Sequence, residues 1–202
     1  MLDDIAASPE SYDVDGQADR AGRATPRVYD TVFIGQRKIS DQPLSLSRVV
    51  LVFDLPPLQD GQRLVSATLL ASYINDRAYE RNVPAVNLYH AAGLPGVPND
   101  RPGQLGLYGS AAFADTGLDL IEDGMRLGPV SVDVTDFVAT SYASPVAGGA
   151  ATFRLQAMDQ PLIQPDGTPR DNRYGIRGFV DRGDGAAPPT LNLVIEGAAE
   201  PQ

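Results

Sequence analysis

The chain has 202 residues, of which 43% are hydrophobic and 21% charged. This is the composition of a folded domain large enough for one core, and it excludes a disordered chain. The net charge of −10 disfavours nucleic acid and anionic membrane surfaces as partners, because both are held by Lys and Arg. Cysteine is absent, which excludes disulfides, thiolate metal sites and cysteine nucleophiles. No apolar run approaches the ~18 residues of a spanning helix, so membrane insertion is not expected.

The opening MLDDIAASPESYDVDGQ is acidic and lacks the charged-then-apolar pattern of a secretory signal. Either a signal has been removed or the protein uses none. Residues 1–27 are polar and poor in β-formers, and are expected to form an extended arm with at most one short strand. Within them Asp13, Asp15 and Asp19 surround Gly16, an oxygen-rich turn of the kind hard cations favour, which makes them candidate ligands for a structural calcium. The full twelve-residue loop of an EF-hand is missing. Asp171 and Asn172 form a second such cluster, which a turn explains equally well.

Residues 28–196 are expected to form a single sandwich domain, followed by a loose tail at 197–202. Val28–Gly35 alternates as a strand should, and Gln36–Leu46 is a polar loop. Arg48–Asp54 is β-branched and apolar, and Pro56, Pro57, Asp60 and Gly61 break it before strand character resumes over Leu64–Asn75. There Leu64, Leu70 and Ile74 share one face, with Val65, Ala67, Leu69, Ala71 and Tyr73 on the other. Both faces are apolar, which predicts a central strand covered on both sides. Val83–His90 follows. Ala91–Gly128 is a long excursion, rich in Gly and Pro early and acidic late, that should contain one or two short strands. Its carboxylates Asp115, Asp119, Glu122 and Asp123 are expected to lie in a solvated loop.

Strands return at Val130–Val134, Ala151–Met158, Tyr174–Asp181 and Thr190–Glu196. The last should bury Leu191, Leu193, Val194 and Ile195 and turn Asn192 and Glu196 outward. Between the first two of these, TDFVATSYA predicts a short helix capped by Thr135, with Phe137, Val138 and Tyr142 packed inward. Eight or so short strands separated by Gly, Pro and Asp turns predict an all-β fold, an antiparallel, jelly-roll-like β-sandwich with one short capping helix.

Catalytic signals are thin. His90 is the only histidine, and the sequence offers neither a Gly-x-Ser-x-Gly elbow nor a metal-binding His pair to complete a site around it. The chain is therefore not expected to be an enzyme. Nor does any Gly-rich phosphate cradle follow a strand and open a helix.

In order along the chain, Arg48, Phe53-Asp54-Leu55, Ser66-Ala67 with Leu69, Asp133-Val134-Thr135 with Val138, and Pro189 with Leu191 form a pattern. It is an arginine-led strand ending in Phe-Asp-Leu, a Pro/Gly turn, a Ser-Ala-x-Leu strand, an Asp-Val-Thr cap and a closing strand after Pro. The pattern resembles the DNRLRE-type β-sandwich domains, which are related to the family-96 carbohydrate-binding modules. The resemblance covers Val28–Glu196 with a gap. It implies a non-catalytic extracellular or cell-surface module that binds a polysaccharide.

The family usually carries tryptophans, and this chain has none. Flat aromatic faces are what pyranose C–H surfaces pack against, so Tyr79, Tyr89, Tyr108 and Tyr174 are the candidate platforms, with Arg173 and Arg177 beside them. Strand-end packing is the competing explanation for each tyrosine. The alternative function is that of a structural, self-assembling subunit of a surface layer, filament or virion, in which edge strands or the N-terminal arm add to a neighbouring subunit's sheet.

Overall fold

The computed structural model describes residues 2–6, 10–12, 18–20, 31–37, 44–76, 85–92, 111–122, 125–145, 149–157, 163, 165–168, 172–177 and 186–197. For 2–6, 10–12, 18–20, 31–32, 37, 44–46, 75–76 and 177 the description is of the backbone path. The fold is all-β: two antiparallel sheets face each other, with one short helix among the described residues.

Strands β1 (Leu2–Ala6), β2 (Glu10–Tyr12), β3 (Ala18–Arg20), β4 (Thr31–Arg37), β5 (Leu44–Ser47), β6 (Val49–Asp54), β7 (Arg63–Asp76), β8 (Val86–Ala91), β9 (Ala114–Ile121) and β10 (Gly128–Asp133) precede helix α1 (Thr135–Ala143). Strands β11 (Ala150–Gln156), β12 (Asn172–Arg177) and β13 (Thr190–Glu196) follow it. The smaller sheet runs β1-β6-β11-β8-β9; the larger runs β10-β7-β12-β4-β5-β2-β3, with β13 also paired to β7.

The apolar runs explain which strands are central. In β6, Val49, Leu51 and Phe53 point between the sheets, while Val50 and Val52 point outward and are buried as well, in a second cluster with Ala91, Phe113 and Ala150. A strand covered on both faces needs no polar alternation, hence the unbroken VVLVF. Its neighbour β11 is buried along its whole length. Phe53 and Phe153 meet edge to face with centroids 6.4 Å apart. Each such fully buried side chain contributes about 1.5–3 kcal/mol.

In the larger sheet β7 is the spine. It pairs with β10 over Thr68–Tyr73 on one side, and with β13 and then β12 on the other. Ala67, Leu69, Ala71 and Tyr73 are buried in the core. The opposite face is only half covered, since Leu70 and Ile74 stay partly exposed. A bulge at Val65 exchanges the expected places of two residues, leaving Val65 39% exposed and packing Leu64 against the core. The expected burial of both faces therefore holds for one of them.

Other expectations are corrected. The polar stretch Gln36–Leu46 contributes to two strands: Gln36 is fully buried in β4, and β5 begins at Leu44. Val194 is 52% exposed, because β13 alternates regularly: Leu191, Leu193 and Ile195 turn inward, and Val194 turns outward with Asn192 and Glu196. Asp115 and Asp119 do not lie in a loop; they stand exposed on β9.

The N-terminal segment is ordered into pairing. Leu2–Ala6 runs antiparallel to β6, from Leu2 opposite Phe53 to Ala6 opposite Val49, and Glu10–Tyr12 continues along β5, from Glu10 opposite Leu46 to Tyr12 opposite Leu44. Strands β1 and β2 thus form a ribbon along β6 and β5. The strands that they line change sheet at Arg48, the single residue between β5 and β6, which is 8% exposed.

Candidate functional site

The sandwich ends in edge strand β9 of one sheet and edge strand β10 of the other, and α1 closes the gap at one end. The join is built from the residues of the Ser-Ala and Asp-Val-Thr motifs. Where β10 stops pairing with β7, Ala67 would lose its ladder partners. Instead the Val134 N–H donates to the Ala67 carbonyl at 2.9 Å, and the Ala67 N–H donates to Thr135 Oγ1 at 2.9 Å. Thr135 then donates its own N–H (2.9 Å) and its hydroxyl (2.6 Å) to Asp133 Oδ1. Those two bonds, the hydroxyl's first, hold the Asp133 carboxyl below its ordinary range. Thr135 is therefore not the N-cap. That position is Val134, whose side chain cannot cap, and Asp133 satisfies the first helical donor instead.

Facing this turn, β9 carries a bulge. Leu118 pairs with Leu88 and Asp115 with Tyr89, so Thr116 and Gly117 are extra in the ladder. Gly117 takes φ +71°, and its N–H donates to Asp115 Oδ1 at 2.9 Å. Thr116 Oγ1 donates to the Leu88 carbonyl at 2.6 Å and accepts from the Leu118 N–H at 3.2 Å. Bulge, turn and helix together enclose a cleft of about 390 Å³ lined by Thr116, Leu118, Asp133, Thr135, Asp136 and Phe137. Its wall combines two carboxylates, two hydroxyls, one aromatic ring and one aliphatic side chain.

Behind Phe137 lies His90. Its ring packs between Phe137 (5.5 Å) and Phe153 (5.3 Å), and Nε2 is 2.9 Å from Ser141 Oγ. Burial depresses its pKa and keeps it neutral. Ser141 is 1% exposed and His90 7%, so no substrate carbonyl can reach this hydroxyl. The pair fastens α1 to β8. Tyr142 adds a second tie, donating its hydroxyl to the Pro56 carbonyl at 3.0 Å.

Among the described residues, the structure does not bring the sequence-predicted platform together. Tyr174 is buried in the larger sheet, edge to face with Tyr73 at 6.0 Å, and offers no free face to a sugar. Arg173 is also buried, with its guanidinium 4.7 Å from the Phe33 ring centre. Tyr89 belongs to the other sheet, where Arg154 lies 4.9 Å over its ring and 4.7 Å from that of Phe113. Arg177 is described as the backbone end of β12 and Asp19 as the middle of β3. Tyr79, Tyr108, Asp13 and Asp15 lie outside the described residues. Among the described residues no three carboxylate or imidazole groups converge as a metal site requires.

Sequence reading missed Thr116, Leu118 and Asp136. The signal for the first two was the Asp-Thr-Gly triplet inside a run of alternating apolar residues, which marks a bulge. No family model matches the chain, and no curated protein is similar enough to be reported as a relative. Among the described residues, no helix is long and apolar enough to cross a membrane.

Proposed function

We propose that the chain is a non-catalytic β-sandwich module that binds neutral polysaccharide at the β9–β10–α1 cleft, outside the cell or at its surface. The observation that carries this reading is the lining of that cleft. The carboxylates of Asp133 and Asp136 accept hydrogen bonds from sugar hydroxyls, and Phe137 with Leu118 supplies apolar area for ring C–H faces. The order of motifs shared with the DNRLRE-type domains supports the same reading. Two carboxylates in the cleft and a net charge of −10 favour a neutral glycan over a uronate polymer. Arg173, which would have served an anionic chain, is buried.

Affinity electrophoresis through gels containing glucan, xylan, mannan, alginate or pectate tests the proposal, with calorimetry on oligosaccharides of any polymer that retards the protein. Retardation by at least one neutral polymer and by neither acidic one is expected. Asp136→Asn, an exposed change, should weaken binding roughly tenfold, the loss of about 1.5 kcal/mol from a charge-assisted hydrogen bond. No retardation by any polymer, or binding indifferent to Asp136→Asn, overturns the reading.

A further inference from the structure

The N-terminal ribbon points to a second activity that does not depend on the glycan reading. Strands β1, β2 and β3 make up the ribbon, and their described pairing to the rest of the fold is confined to one edge: β1 on β6 and β2 on β5, with β3 paired to β2 alone. The slot they fill is unusual for a sheet edge. All of Val49, Val50, Leu51, Val52 and Phe53 are at most 6% exposed, so with the ribbon withdrawn β6 would present a flat apolar edge, the kind that pairs with whatever strand is at hand. The ribbon joins the body through the ten residues 21–30, which include Gly22 and Pro26.

We propose that this ribbon is a strand-exchange element, and that its partner is a second copy of this chain. Residues 2–12 of one copy take the place beside 44–53 of the next, with the register found within one chain. The backbone hydrogen bonds and the covered β6 edge are the same in either arrangement. The balance is therefore set by the connection, through its effective concentration when folded back and its strain. A connection of ten residues holds ribbon and body at a local concentration on the order of millimolar. Micromolar protein consequently stays closed. Crowding at a surface, refolding at high concentration or a shortened tether opens it, and exchange can close as a pair or run on as a filament.

The absence of cysteine makes a clean test possible. Ile5 lies opposite Val50. One full-length chain carrying only Ile5→Cys is mixed with another carrying only Val50→Cys, refolded together at about 0.5 mM, diluted and oxidised. A heterodimeric disulfide is expected, several-fold more abundant than from Ile5→Cys mixed with Asp115→Cys, which sits on the opposite edge strand. A yield no higher than that control overturns the proposal.

A second variant keeps the test independent of cysteine chemistry. Strand β3 lies three strand positions from β4, about 14 Å. Deleting residues 22–29 leaves three residue steps, which span at most about 11 Å, so the ribbon cannot fold back onto its own chain. Light scattering should then report dimers or larger species, which an excess of a synthetic peptide of residues 2–20 reduces by filling the place beside 44–53. A hinge-shortened chain that remains monomeric overturns exchange, and neither result touches glycan binding.

Discussion

Thr135 joins three separate parts of the chain with one side chain. Its hydroxyl accepts from Ala67 in β7 and donates to Asp133 in β10, and its own N–H opens α1. Replacing the hydroxyl with a methyl leaves a backbone donor in the core sheet without its acceptor and breaks the bond to Asp133. Thr135→Val should therefore cost about 1–3 kcal/mol, read as a lower urea midpoint at unchanged slope. Thr135→Ser retains both hydroxyl bonds and should stay near the wild type; a loss in Thr135→Ser with none in Thr135→Val would show that the methyl, not the hydroxyl, matters. The Asp-Val-Thr and Ser-Ala motifs were visible in the sequence as separate pieces. Their contact was not, because it spans 68 residues of chain and depends on where β10 leaves the ladder.

At the scale of elements, the strands easiest to read were those whose environment is uniform. Strand β6 is apolar because both its faces are covered, and β13 lies at Thr190–Glu196 as the alternation indicates. Strands β1, β2 and β5 are three to five residues long and take their conformation from cross-strand pairing, which local propensity does not encode. Burial of Tyr174 and Arg173 was hidden for a related reason: the two point to opposite faces of β12, and both faces are covered, Asn172–Ile176 being buried throughout by neighbours distant in sequence.

Register also explains Gly35. It is paired on both sides, opposite Arg173 and Ser47, at φ +113°, and a β-carbon there would run into the Asn172 carbonyl oxygen. Gly35→Ala is expected to cost roughly 1–3 kcal/mol from backbone conformation alone, with the clash in addition. Thermal unfolding should show it plainly, whereas Gly117→Ala, with open space around its β-carbon, should pay the conformational part only.

For the molecule as a whole, stability should depend on pH through two groups of opposite chemistry and the same sign. His90 is neutral in the fold because burial lowers its pKa, while in the unfolded chain it titrates near 6.5. Between those values the unfolded state binds the extra proton, so stability is complete above about pH 6.5 and falls as pH drops toward the folded value. Asp133, held low by Thr135, contributes stability that is present above the ordinary aspartate pKa of about 3.9 and is lost as pH falls through its depressed value. The two windows are separated because one group is an imidazole and the other a carboxylate. Relief of repulsion among the 26 acidic residues works in the other direction, but it begins only where carboxylates protonate, near pH 4 to 5. With a single histidine in the chain, a decline in unfolding free energy between pH 6.5 and 5 is assignable to His90. Urea titrations at half-unit intervals should show that decline in the wild type and a flat profile over the same range in His90→Gln, with the acid limb below pH 4 retained. A wild-type profile already flat from pH 7 to 5 would mean that the imidazole titrates alike in both states, and that its place between Phe137 and Phe153 costs the protonated form nothing.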